Sequence, residues 1–236
     1  MATLAPKEGV ASDIFPPLVE IWKTLVENPE KLKRWYGERR QQSAKGDKIE
    51  VYEKIKGAYN TKPNGADLLF LCRACYGGVV RFRKSDGFMS TPCGIHDPIP
   101  AKKFNERVDD WYGRLSHVEI RKADYSEIMS EAKAGDLIYC DPPYSYSQAI
   151  LYGAQDFRLD ELLESISRCK SRGVFVALSI DGTKKSGDLF CKIELPAGLF
   201  EREIDVHCGR SMLKRFQMEG QTLETEEVTD RLLLTY

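Results

Sequence analysis

The sequence predicts an α/β protein built on a doubly wound, mostly parallel sheet, and three observations carry that prediction. From about residue 117 onward, short apolar runs rich in Val, Ile and Leu alternate with helical patterns. The links between them are short, as in strand–helix–strand units that cross over on a sheet. Gly173 stands directly after the clearest amphipathic helix and before the most apolar run, where a helix ends and the next strand begins. A chain of 236 residues with 42% hydrophobic residues has the apolar content of an ordinary folded domain, and its length predicts a single core.

Taken in order, Leu18, Ile21, Trp22, Leu25 and Val26 recur with the stripe of a core-facing helix over residues 16–36, with Trp35 and Tyr36 extending that face beyond Pro29. Residues 41–48 read as a polar connector, and Ile49, Tyr52 and Ile55 as a second short helix ending near Gly57. Residues 60–100 read as a loop-rich insertion with room for one hairpin, and so long a stretch without periodicity is expected to be functional. The second half predicts strands over 117–121, 136–140, 174–179, 203–208 and 231–235, and helices over 126–134 and 159–172. One domain is expected to comprise 1–40 and 112–236, with 41–111 inserted into it. No run approaches the roughly 18 apolar residues of a membrane span, and the start lacks a secretory pattern, so a cytoplasmic protein with no membrane partner is expected.

Thirty-five basic against 36 acidic residues looks neutral, but the balance is divided: residues 1–122 carry 22 Lys/Arg and 16 Asp/Glu, and residues 123–236 carry 13 and 20. Within the first part, residues 31–84 hold 14 basic and 5 acidic residues, among them Lys31, Lys33, Arg34, Arg39, Arg40, Arg73, Arg81 and Arg83. That surplus of nine is a candidate phosphate-facing surface, with solvated helix faces as the alternative. Seven cysteines, an odd number with several in apolar segments, suit reduced core thiols, and the lone Cys72-x-x-Cys75 pair has no second pair at zinc spacing, so no metal is expected.

Ligands in parallel sheets bind beyond the carboxyl ends of the strands. There stands Asp141-Pro142-Pro143-Tyr144, where two prolines stop the ladder and fix a rigid backbone course. A strand-ending turn alone leaves a carboxylate and an aromatic ring together at this edge unexplained. The tetrapeptide suits methylation of a planar amine. The Asp141 carboxylate and the Pro142 carbonyl can accept two amine protons while Tyr144 stacks on a flipped base, aiming the nitrogen lone pair at an electrophilic methyl group.

The stretch DLIYCDPPY at 136–144, together with RACYGGVVRF at 73–82, ASDIFPPLVEIWKTL at 11–25 and TDRLLLTY at 229–236, resembles the Dam-like adenine-specific DNA methyltransferases. The resemblance runs from about Ala11 to Tyr236 and implies a methyltransferase fold, S-adenosylmethionine as cofactor and double-stranded DNA as partner. It implies that Asp141, Pro142, Pro143 and Tyr144 are catalytic, and that Asp13 and Ile14 bind the cofactor, Asp13 through its ribose hydroxyls. For Asp13 a helix cap before Pro16 is the alternative. It further implies that Asp124 and Tyr125 lie against the cofactor's adenine ring, that Asp141 also borders the cofactor, and that Arg73, Tyr76, Arg81, Arg83 and Arg210 contact DNA.

Two departures qualify the resemblance. The family begins with a strand leading into F-x-G-x-G, whose glycines admit the methionine end of the cofactor, whereas none of the 18 glycines here is spaced as G-x-G. The first strand and glycine loop are thus missing, and a split enzyme is expected, a heterodimer whose second subunit supplies them. Gly77 and Arg83 stand where GATC-reading members carry Asn, so a different recognition sequence is expected, within a restriction-modification system. The competing readings are a non-catalytic DNA-recognition subunit and an amine methyltransferase acting on RNA.

Overall fold

Prolines set the first helix boundaries. The computed structural model describes residues 3–143, 157–184, 193–209 and 228–236. In it Pro16 and Pro17 open α1 (Pro16–Glu27) and Pro29 opens α2 (Pro29–Lys45), positions where a missing N–H costs nothing. The single helix expected over 16–36 is therefore two, separated at Asn28, whose side chain accepts from the Lys31 N–H at 3.0 Å. Residues 41–45, expected as connector, continue α2, because Gln, Ala and Lys are good helix formers and nothing breaks the helix before Gly46. Asp47 then caps α3 (Lys48–Thr61), accepting from Ile49 and Glu50, and the helix runs on past Gly57.

Asn64 caps α4 (Gly65–Ala74), a helix where the sequence predicts loop. Its Leu68, Leu69, Phe70 and Leu71 are all buried. A helix enclosed on every side is apolar all round and shows no 3.6-residue stripe, so periodicity could not reveal it. Gly65 is required by a close approach: a Cβ there would lie 3.0 Å from the Pro17 carbonyl and 3.1 Å from the Ile21 nitrogen of α1. A second unforeseen helix, α5 (Ala101–Leu115), lays Phe104 against Tyr36, rings stacked with centroids 4.1 Å apart.

These helices and a two-stranded parallel sheet, β1 (Gly9–Asp13) with β2 (Val118–Lys122), form a unit that ends at Ile128. The pairing runs from Gly9 beside Val118 to Asp13 beside Lys122. One hydrophobic cluster, from Val19 to Ile120, fills this unit.

The second unit begins at Met129, within α6 (Tyr125–Glu131), which stops short of the expected 134. Its four strands are β3 (Leu137–Cys140), β4 (Phe175–Lys184), β5 (Arg202–Gly209) and β6 (Val228–Leu234), ordered β3-β4-β6-β5. β3 and β4 are parallel, while β6 runs antiparallel to both its neighbours, so the fold is mixed α/β with parallel elements. Helix α7 (Leu159–Ser171) buries Leu162, Leu163, Ile166 and Cys169, and Gly173 follows with φ of 76°, as its position in the sequence predicts. The buried residues of the second unit include Ile166, Val176, Leu178 and Leu233. No helix among the described residues is long and apolar enough to cross a membrane.

Candidate active site and nucleic-acid interface

In the second unit the parallel strand β3 delivers Asp141, Pro142 and Pro143 just past its carboxyl end. In-register pairing carries Tyr139 opposite Ala177 and Cys140 opposite Leu178, which places Asp141 on the sheet face that bears Ser179 of β4. Asp141 as a residue is exposed, yet its carboxylate is partly withdrawn from water. That withdrawal pushes its pKa up, and the negative charge of Asp230 at the start of β6 pushes it further. The neighbouring Cys140 thiol is pushed up to about 12 by burial, so it stays neutral near pH 7 and is no nucleophile. Tyr144 and Arg210 lie outside the described residues.

In the first unit, two further candidate pairs share one end of the two-stranded sheet. Asp13 closes β1, and one of its carboxylate oxygens accepts from the Phe15 N–H at 2.7 Å, which fixes the turn into α1. The capping alternative is thus partly realised, although the cap residue itself is Phe15. Ile14 beside it leaves an apolar side chain 64% exposed. Past the end of β2, Asp124 accepts from the Ser126 N–H at 2.9 Å and from its hydroxyl, and Glu127 reaches back to the Asp124 N–H at 3.4 Å. This reciprocal arrangement is a capping box for α6, which Tyr125 opens. An acceptor and an exposed apolar side chain at the carboxyl end of parallel strands are the groups that a nucleoside ribose and base require.

The loop-rich stretch contains the hairpin for which it had room. Antiparallel bridges join Cys75 to Cys93 and Phe82 to Met89. Val80, Phe82 and Met89 point inward and are buried, while Arg81 and Arg83 alternate outward. Helix α3 anchors this hairpin. The Asn60 side chain both donates to the Met89 carbonyl at 3.1 Å and accepts from the Met89 N–H at 2.7 Å, and the Tyr52 hydroxyl donates to the Thr91 carbonyl at 2.8 Å. Thr91 in turn accepts from the Arg81 N–H. Gly94 is obligatory where the hairpin returns, since a Cβ would stand 2.8 Å from the Cys75 carbonyl oxygen and 2.9 Å from that of Ala74. Asn60 and Thr91 were not singled out by sequence reasoning, Tyr52 was read only as part of a helix stripe, and only the alternation in VVRFR signalled the hairpin face.

Much of the basic surplus over 31–84 is spent within the protein. Lys33 pairs with Glu30 and Asp109, Arg39 with Asp67, Arg40 with Asp97, Lys56 with Glu53 and Arg83 with Asp86. Arg83 also lies over the Phe88 ring. Arg73 in the last turn of α4 and Arg81 on the hairpin are exposed and form no ion pair among the described residues, and Tyr76 is exposed between them in sequence. Burial pushes the Cys72 and Cys75 thiols up to about 12 and about 11. Among the described residues no cluster of three or more His, Cys, Asp or Glu is placed to hold a metal ion.

The strand-end Asp-Pro-Pro of the second unit and the arginine-bearing hairpin of the first are the segments whose sequences resemble the amino-methyltransferases that act on DNA. Residues 1–203 match the family model of the D12 class N6 adenine-specific DNA methyltransferases, and the chain belongs to this family. It is 23% identical over 200 residues to the type II methyltransferase M1.LlaDCHI of Lactococcus lactis subsp. cremoris, a match covering 79% of this chain and 70% of that one. It is 26% identical over 198 residues to the DNA adenine methylase of Vibrio cholerae serotype O1, covering 76% and 67%. It is 23% identical over 206 residues to the DNA N-6-adenine-methyltransferase of Escherichia phage P1, covering 78% and 25%.

Proposed function

We propose that the chain transfers the methyl group of S-adenosylmethionine to the 6-amino group of an adenine extruded from a specific double-stranded DNA sequence, acting as one subunit of a split enzyme within a restriction-modification system. The observation that carries this reading is the rigid Asp141-Pro142-Pro143 turn leaving the carboxyl end of β3. When bound, the cofactor supplies an electrophilic methyl group on a positively charged sulfur.

The chain's own residues then do the positioning. The Asp141 carboxylate and the Pro142 carbonyl each accept one amine proton, which turns the nitrogen lone pair toward the methyl group. Pro143 fixes the turn, and Tyr144 offers its ring to the extruded base. The adenine nitrogen would form its new bond to the methyl carbon as the carbon–sulfur bond breaks with its electron pair left on sulfur, and Asp141 or water would take up the one amine proton released. Asp13 retains an acceptor for the ribose hydroxyls beside exposed Ile14, and Asp124 and Tyr125 serve the adenine of the cofactor. Arg73, Tyr76, Arg81 and Arg210 meet the DNA, and Arg83, held by Asp86, serves from the hairpin tip. The inserted target-recognition segment spans 41–111.

The test is transfer of labelled methyl groups to duplex DNA by the chain with and without a second polypeptide carrying F-x-G-x-G. Label in adenine that disappears with Asp141→Ala supports the reading. DNA binding without label in any combination leaves a non-catalytic recognition subunit, and label in RNA alone transfers the activity to that substrate.

A further inference from the structure

The two strands of the hairpin are held differently. In the second, the N–H and carbonyl of Met89 point away from Phe82, its antiparallel partner, and the Asn60 side chain of α3 engages both. Two residues on, the Thr91 carbonyl accepts from the Tyr52 hydroxyl of α3 at 2.8 Å. Burial pushes the Tyr52 pKa far up, so this hydroxyl keeps the proton it donates. The first strand, which bears Arg81, is hydrogen-bonded to that anchored one. The Arg83 N–H donates to the Phe88 carbonyl and the Ser90 N–H to the Arg81 carbonyl, each at 2.9 Å.

At Arg81 the ladder departs from regularity. Phe82 and Met89 form a pair bracketed by those two bonds, and the next pair along an antiparallel ladder, here Arg81 with Ser90, ordinarily exchanges two main-chain bonds. One of the two is made, but the Arg81 N–H goes to the Thr91 hydroxyl at 2.8 Å. The same hydroxyl donates to the Val79 carbonyl at 3.0 Å. Strand lengths explain the departure. Seven positions separate Cys75 from Phe82 while four separate Met89 from Cys93, and the turn Tyr76–Gly78 takes up the surplus. Thr91 is buried, and its hydroxyl, engaged as both donor and acceptor, satisfies two main-chain groups on the strand that carries Arg81.

We infer that Thr91 is a positioning residue for DNA recognition: its hydroxyl sets the main chain of Arg81, and thereby where the guanidinium meets the duplex. This deepens the reading above in which Arg81 contacts DNA, and rests on it. A guanidinium meets a base edge or a phosphate with two bonds only when its fork is aimed, and a main chain held at both N–H and carbonyl does the aiming.

The test is a double-mutant cycle read by equilibrium binding of the full chain to a duplex that this chain selects from a random-sequence pool. Thr91→Val nearly keeps the shape of the side chain and removes the hydroxyl. It is expected to weaken binding by about tenfold in the natural background and to have no further effect in the Arg81→Ala background, because Thr91 acts through Arg81. Thr91→Ser, which keeps the hydroxyl, is expected to bind as the natural chain does. The Arg81 amide is expected to exchange faster with solvent in Thr91→Val and not in Thr91→Ser. Circular dichroism checks folding, and Thr91→Ala takes the place of Thr91→Val in the same cycle if the latter does not fold. Equal weakening with and without Arg81, or no weakening in the natural background, overturns the inference and leaves the DNA reading standing. Failure of the natural chain to bind any duplex overturns both. DNA binding without methyl transfer in any combination retires the methyl-transfer reading alone, and the cycle, read by binding, still decides the role of Thr91.

Discussion

In the proposed mechanism Asp141 serves best as an ionised acceptor, and both partial burial and Asp230 push its pKa up. Methyl transfer is therefore expected to be lost as pH falls through a value above the ordinary aspartate range near about 4. Replacing Asp230 with Asn removes one of the two causes, so the acidic limb of the kcat/KM profile is expected to move to lower pH. An unmoved limb would show that Asp230 does not act on Asp141. Asp141→Ala, which removes the acceptor, is expected to reduce transfer by about a hundredfold or more while DNA binding persists. DPPY was legible in the sequence because its chemistry is local. The influence of Asp230 was not, since β6 lies beyond β4 from β3 and the two aspartates stand 89 positions apart in the chain.

At the scale of elements, α4 is tied to α2 by Arg39, which meets the buried Asp67 at 2.6 Å, while Asn64 donates to the same carboxylate at 2.7 Å. Arg39→Ala strands that charge and is expected to cost about 3–5 kcal/mol of stability, read by denaturant unfolding. The hairpin held by Asn60 and Tyr52 presents Arg81 on its outer face. Arg81→Ala is expected to weaken DNA binding and to lower the slope of log affinity against log salt by about one if its partner is a phosphate. An unchanged slope with relaxed sequence preference would instead assign Arg81 to a base edge. Helices with one wet face, such as α1 and α7, could be read from their stripes. The enclosed α4 and the Gly94 crossing could not, because their determinants are neighbours supplied by tertiary packing.

The whole molecule divides into two compact units, and its near-neutral charge conceals a basic stretch over 31–84 that is only partly paired within the protein. The sequence indicated parallel α/β elements correctly, but period and length alone could not reveal that β6 would run antiparallel between β4 and β5, since strand order is set by long-range pairing. The most direct test of the central claim is N6-methyladenine measured in duplex DNA after incubation of the chain with S-adenosylmethionine, with and without a second polypeptide carrying F-x-G-x-G. The expected result is methylation at a defined sequence that requires both polypeptides and Asp141. Absence of methyladenine in every combination, or its formation by the Asp141→Ala variant, would contradict it.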